Sequence, residues 1–452
     1  MDQKFIEKFR AALRIKTDWP SIIKSDVYLT AEAEKILTGF QDFLAEQFPV
    51  FHQNAERFVL SPYSVAYRWP AAEKKSSSDP VMLLGHYDVV PAETAKWSAD
   101  PFGAELKNGY IYGRGALDMK NMVIAMMESA ENLSEQGFKP GRDIWFVFGG
   151  DEERTGIKGA RETAKWLSDR GIKFSFIMDE GTPVAVDQIK GVNKPLALIG
   201  IEEKGYLSIN LSVEQKPGHA SQPPEQQAAA ILGKALMRLS RRPFPWHLTP
   251  TAEAFFRNLS LHTSGITGFF MKHARLFGPL FFKAAGTSPA TRSMLRTTLA
   301  MTQLEGSAAE NVLPSVVKAV INLRLLPPWT TDTAIERVRT VIADDRVVVK
   351  AHGQGNNPVE AGADQAVKKS PGWKEIEAAL GKVFPDVPAL PFFMLATTDS
   401  RYYKEMCRYI YRFNPLLLNP GEISLIHGHD ERISLENLEY CLKFYTALLE
   451  QL

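Results

Sequence analysis

Residues 81–88 read Val-Met-Leu-Leu-Gly-His-Tyr-Asp, four apolar residues closed by a glycine and followed by a histidine and an aspartate two positions apart. An apolar run this short, stopped by Gly85, predicts a strand buried on both faces. Two more stretches repeat the pattern. Residues 143–148 (DIWFVF) lead into Gly149-Gly150-Asp151-Glu152-Glu153, and residues 174–178 (FSFIM) lead into Asp179-Glu180-Gly181. Helical spacing of apolar residues lies between them, over residues 30–48 and over the Met- and Ala-rich residues 121–136. Ser64–Trp69 reads as a further strand, and residues 71–79 (AAEKKSSSD) as a polar turn. Buried strands separated by helices predict an α/β domain with a mostly parallel sheet.

The texture changes near Glu203. Residues 206–213 (YLSINLSV) and 316–325 alternate as half-exposed strands do, 225–239 and 331–343 read as helices, and 347–351 as a further strand. This predicts a small α+β domain with a one-sided sheet, carrying an apolar insertion at about 243–300. The α/β pattern resumes after Gly362, with a helix over 373–383, a strand over 392–396 and a last helix over 435–449. The predicted organisation is therefore residues 1–202 and 356–452 as one α/β domain, interrupted by a smaller one over 203–355.

At 452 residues the chain is long enough for two domains. Lys and Arg number 53 against 52 Asp and Glu, a net charge of +1, which excludes a nucleic-acid binder working through a general positive field. Cys407 and Cys441 are the two cysteines, too few for a disulfide framework or a thiolate zinc site. Any metal must be held by His, Asp and Glu. The charged start, MDQKFIEKFRAAL, is unlike a signal peptide, and no uncharged apolar run is long enough to span a bilayer. A cytoplasmic setting is the expectation.

The chemistry-bearing residues follow the predicted strands, where open α/β sheets bind ligands. His86 and Asp88 fit a metal-binding imidazole with a carboxylate fixing its tautomer, or simply a histidine beside a turn. Asp118, in Gly113-Arg114-Gly115-Ala116-Leu117-Asp118-Met119-Lys120, is either a helix N-cap or a metal carboxylate. That loop lacks the glycine spacing of a nucleotide cradle. Asp151, Glu152 and Glu153 make a solvated turn or gather around something positive. With Ile426-His427-Gly428-His429-Asp430-Glu431 near the last helix, the set fits a paired-metal hydrolytic site of N and O ligands. Zinc is the first choice, and cobalt or manganese suits the same ligands.

In order, GHYDVVP, GRGALDMK, GGDEERTG, MDEG, PGHAS and HGHDE resemble the dimetal peptidase family that holds aminoacylase, carboxypeptidase S, glutamate carboxypeptidase and succinyl-diaminopimelate desuccinylase. The likeness runs nearly the length of the chain and is strongest to the carboxypeptidase S and N-acyl-amino-acid synthase/hydrolase branch. It implies a lid or dimerisation role for the smaller domain and a homodimer. It implies that His86 and Glu180 hold one metal, Glu153 and His427 the other, and Asp118 bridges both, with a cis peptide after Asp118. Asp179 competes with Glu180. His429 falls outside the ligand set. Asp88 is implied to orient His86, Glu152 to be the general base that activates a hydroxide shared by the metals, and His219 to donate to the oxyanion. Asn311, Arg324 and Arg401 are implied to contact substrate, although Asn322 stands where many relatives carry Asp ahead of the arginine.

The implied activity is a metal-dependent amide hydrolase that releases an amino acid from N-acyl amino acids or small peptides. A dipeptidase or aminopeptidase of the same family, and a non-catalytic small-molecule binder that has kept the fold, are the competing readings. The insertion contains residues 268–286 (GFFMKHARLFGPLFFKAAG), with five Phe and two Leu broken by Lys272, His273, Arg275 and Lys283. A buried helix pair, a helix lying on a membrane surface and a wall of the acyl pocket are the three expectations for it.

Overall fold

A computed structural model describes residues 2–19, 31–73, 79–187, 192, 194–361 and 370–452. The middle of the predicted polar turn, the first residue of the 30–48 helix and the boundary at Gly362 lie outside the described residues. The chain forms two compact units: Met1–Ile201 with Ala361–Phe392 and Thr398–Leu452, and Glu202–Glu360 with Phe393–Thr397.

The larger unit is built on an eight-stranded sheet. Its order is Glu56–Ser61, Ser64–Trp69, Ile144–Gly149, Val81–His86, Phe176–Ala185, Ile410–Leu418, Leu196–Glu203 and Ala389–Met394. The four strands from Ile144–Gly149 to Ile410–Leu418 run parallel. The Glu56–Trp69 hairpin on one side and Leu196–Glu203 on the other pair antiparallel. Val81–His86 and Ile144–Gly149 are buried at every position, as strands covered on both faces must be. Lys120–Glu135 is buried almost all round, which is why its sequence is Met- and Ala-rich rather than amphipathic. It packs on Leu435–Leu449, a helix whose Ser434 hydroxyl accepts from Asn437 N–H and so caps its first turn, a contact typically worth about 1 kcal/mol.

The 174–178 strand does not end before Asp179-Glu180-Gly181 as predicted. It continues to Ala185, and the acidic pair sits within it. Asp179 pairs with Arg412 and Thr182 with Phe413, so Glu180 and Gly181 form a bulge against the neighbouring strand. A side chain at Gly181 would place its Cβ 2.3 Å from the Arg412 carbonyl carbon. The partner strand compensates, with Asn414 opposite Pro183 and Leu417 opposite Val184, leaving Pro415 and Leu416 in a bulge.

The smaller unit holds a four-stranded antiparallel sheet in the order Thr298–Glu305, Val316–Leu325, Gly205–Glu214 and Val348–Ala351. Leu207, Ile209, Leu211 and Val213 alternate inward with Ala319, Ile321, Leu323 and Leu325 to face the helices Ala228–Arg241 and Thr331–Ile342. Thr298–Glu305 is one of the two edge strands and is largely exposed. The insertion is a set of short helices, Pro250–Leu259, Gly265–Lys272, Gly278–Ala285 and Pro289–Leu295. Phe281 packs edge-on to Phe256 at 4.9 Å and Phe282 stacks on Trp246 at 5.7 Å, so these two rings build the insertion's own core. Among the described residues, no helix is long and apolar enough to cross a membrane.

Candidate metal centre

The parallel register brings the predicted residues to one end of the larger sheet. His86 ends its strand opposite Gly149, so the loop carrying Glu152 and Glu153 leaves the next strand at the same level. On the other side Leu83 pairs with Met178, which sets Glu180, two residues on, beside Gly85 and His86. The bulge at Glu180–Gly181 lets the carboxylate turn to the histidine, and Glu180 Oε1 lies 3.5 Å from His86 Nε2. Asp179 is turned elsewhere. Its oxygens accept the backbone N–H groups of Glu180 at 2.8 Å and Ser400 at 3.0 Å.

Asp118 stands between the two histidines. One of its oxygens is 3.0 Å from His86 Nε2 and the other 2.9 Å from His427 Nε2. His427 Nε2 is also 3.2 Å from Glu153 Oε1. Two overlapping trios, His86–Glu152–Glu180 and His86–Asp118–Glu153, each keep their ligand atoms within 4.8 Å of one another. The Asp118–Met119 peptide is cis. The turn before it needs Gly115, where φ is +87° and a Cβ would fall 2.7 Å from Val89 Cγ1.

Asp88 is fully buried and serves both sides of the cluster. Its Oδ1 is 3.3 Å from His86 Nδ1. The same carboxylate accepts the backbone N–H of Glu152 at 3.2 Å, that of Glu153 at 3.1 Å and the indole N–H of Trp19 at 2.9 Å. Asp88 therefore fixes an imidazole and the acidic loop together.

Three further acidic residues have structural work here: Asp151, which the sequence marks only as part of an acidic turn, and Glu431 and Asp399, to which it gives no role. Glu431, fully buried, accepts the N–H groups of Leu117 at 2.7 Å and Asp118 at 3.3 Å and pairs with Arg114 at 2.7 Å. Arg114 in turn donates to the His427 carbonyl at 3.3 Å, so this pair ties the Asp118 loop to the His427 loop. Removing one partner of such a buried pair costs about 3–5 kcal/mol. Asp151 accepts from Lys158 and Gly159 N–H and closes the loop behind Glu152 and Glu153. Asp399 is buried among Asp151, Asp179 and Asp88. The only cue to Glu431 was its place in HGHDE.

The electrostatics follow from this crowding. Burial pushes Glu180 up to about 8, with Asp118 adding to the shift. Burial also raises Glu152 well above the usual carboxylate range, and raises Glu153. Asp118 is buried too, yet hydrogen bonds from His427 and His86 outweigh burial and hold it far below that range. The Asp118 and Glu153 hydrogen bonds lift His427 to about 10. Among the described residues, Asp88, Asp118, Glu152, Glu153 and Glu180 form no ion pair with Lys or Arg. Bearing protons, the two imidazoles balance part of this acidity. Without those protons, the donor set of imidazole nitrogens and carboxylate oxygens fits two divalent cations.

Of the remaining predicted residues, His219, Asn311 and Arg324 fall in the smaller unit and Arg401 and His429 in the larger. His219 and Asn311 belong to the smaller unit and are neighbours there. Gly218–His219 pairs with Val312–Leu313, and Ala220 N–H donates to the Asn311 carbonyl at 3.0 Å. His219 is exposed, and its Nδ1 accepts from Ser221 N–H. Arg324, in the same unit, lies 5.0 Å over the Tyr206 ring, and Asn322 donates to Ser208 Oγ. Arg401 is in the larger unit and gives two of its donors to the carbonyls of Thr398 and Thr155, both at 2.6 Å. His429 is exposed, and the two cysteines are buried.

A mostly parallel α/β sheet whose strand-end histidine shares an aspartate with a second histidine is the arrangement of a metallopeptidase. Residues 82–451 match peptidase family M20/M25/M40, and the chain belongs to that family, a hydrolase acting on amide bonds. The N-fatty-acyl-amino acid synthase/hydrolase PM20D1 of Xenopus tropicalis is 33% identical over 99% of this chain and 86% of its own length. The probable carboxypeptidase S-like 2 of Dictyostelium discoideum is 35% identical over 91% of this chain and 78% of its own. The M20 family metallo-carboxypeptidase Sso-CP2 from Sulfolobus solfataricus shares the fold, with a TM-score of 0.72 at 17% identity, covering 100% of this chain and 99% of that one.

Proposed function

We propose that this hydrolase depends on two divalent metals, zinc in the first place, and frees an amino acid from N-acyl amino acids or small peptides. The observation that carries the reading is Asp118, whose two oxygens face different histidines. His86, Asp118 and Glu180 would hold one cation, and Asp118, Glu153 and His427 the other. Cations held there supply Lewis acidity toward the scissile carbonyl and make water ionise near neutral pH. Glu152 accepts the proton of the attacking water on its carboxylate and returns it to the leaving nitrogen. Asp88 keeps His86 in the tautomer that leaves Nε2 free.

His219 is proposed as the oxyanion donor, with Asn311 beside it. Arg324 and Arg401 are the candidates for the substrate carboxylate. Arg324 is favoured, because Arg401 already spends two donors on backbone carbonyls. The names of the 33% and 35% identical relatives favour N-acyl amino acids and carboxypeptidase substrates over free-amine dipeptides. A screen of N-acyl amino acids and dipeptides against the metal-loaded protein, reading free amino acid, is expected to find the acylated compounds cleaved. Turnover confined to substrates with a free α-amine would replace this reading with a dipeptidase or aminopeptidase.

A homodimer through the smaller unit is also proposed. Thr298–Glu305 leaves one edge of its sheet open, with Met301 and Leu304 exposed on it. Sedimentation equilibrium should return twice the chain mass. Mixed His219→Ala and Glu152→Gln subunits should recover activity if His219 serves the partner's site, and a strict monomer would end the proposal.

A further inference from the structure

We propose that the helical insertion is a membrane-contact surface that seats the enzyme on an anionic lipid bilayer. Large apolar side chains point outward from it: Leu261 is 74% exposed, Ile266 74%, Phe269 53%, Leu276 77% and Leu280 55%. These include the three most exposed large apolar side chains among the described residues. Other rings make the insertion's core, where Phe281 is only 5% exposed. Phe277 packs against both Phe269 and Phe270, at 5.8 and 4.9 Å, while Phe281 and Phe282 are held by Phe256 and Trp246. Ile266 and Phe269 share one helix face, and Leu276 lies in the turn that leads into the helix carrying Leu280.

The charge around these residues selects the partner. Residues 243–300 carry Arg257, Lys272, Arg275, Lys283, Arg292 and Arg296 against the single acid Glu253, in a chain whose net charge is only +1. Glu253 is taken by Arg275 at 3.0 Å. Arg257, Lys272, Lys283 and Arg292 are exposed. Outward apolar side chains bordered by cations match the boundary between acyl chains and anionic headgroups. The same cations oppose a second copy of the segment packing face to face, since like charges would meet. The helices Gly265–Lys272 and Gly278–Ala285 have eight residues each, so the segment lies on a bilayer and does not cross it.

The test uses the full-length, metal-loaded enzyme and flotation with two kinds of vesicle, phosphatidylcholine alone and phosphatidylcholine with phosphatidylglycerol. The enzyme should float with the phosphatidylglycerol vesicles, and added salt should release it. Lys272→Glu with Lys283→Glu should weaken partitioning at least about thirty-fold, as expected for two basic side chains at an anionic surface. Leu276→Ser with Leu280→Ser should weaken it about ten-fold or more. Both double variants should keep the wild-type circular dichroism and Tm, since the four side chains lie outside the insertion's core. Failure of the wild type to float with anionic vesicles would overturn the proposal. So would unchanged partitioning of both variants, or a concentration-dependent oligomer that the leucine variant alone abolishes.

Discussion

Glu152→Gln is expected to lower kcat by about 10²–10⁴-fold, the usual worth of a general acid–base group, and toward the upper end for a poor amine leaving group. The amide keeps the shape of the side chain and removes the proton acceptor. Glu152 belongs to one of the ligand trios, so metal content must be read on the same sample. Unchanged metal with activity lost fits a proton shuttle. A variant that loses a cation makes Glu152 a ligand, and one that keeps near wild-type kcat removes it from the chemistry.

Asp118→Ala should have the broader effect, because the residue faces both histidines. Metal content is expected to fall from about two equivalents, the number in paired-metal hydrolases, to near zero, with activity falling to background. A second readout separates this from misfolding. A cation that binds only the folded state adds about 2.7 kcal/mol of stability at a hundred times its Kd. Added zinc should therefore raise the Tm of the wild type and leave that of Asp118→Ala nearly unchanged, with the far-ultraviolet circular dichroism of both alike. Two equivalents bound to the variant, or a full Tm response, would show that Asp118 is not the shared group.

The sequence was most readable where local pattern and chemistry coincide. Val81–His86 could be read because four apolar residues end in glycine, and its histidine then falls at a strand terminus. Ile410–Leu418 was not read as a strand, because Arg412, Asn414 and Pro415 are stop signals for a buried strand. Gly181 and Pro183 had the same effect on Phe176–Ala185. The two strands accommodate these residues in complementary bulges, a fit visible only once they are paired. The residues that steady the cluster were hidden for a related reason. Trp19 reaches Asp88 and Glu431 reaches the N–H of Leu117 across long stretches of chain, and no periodicity encodes such contacts. The exposed face of the insertion was equally illegible, since its composition cannot say which Phe turns inward.

The spacing of the cluster along the chain bears on how the protein is made. His86, Asp118, Glu152, Glu153 and Glu180 lie between positions 86 and 180, whereas His427 and its tether Glu431 come 247 residues or more after Glu180. The strand Ile410–Leu418, which fills the sheet between Phe176–Ala185 and Leu196–Glu203, is equally late. At about 5–20 residues per second, a ribosome needs some ten seconds or more to pass from Glu180 to His427. During that interval the emerging chain carries His86, Asp118 and Glu180 on an incomplete sheet and lacks His427. The cluster is therefore supplied in two instalments: Asp118 is made together with His86 and Glu180, and the second histidine that it faces follows only later.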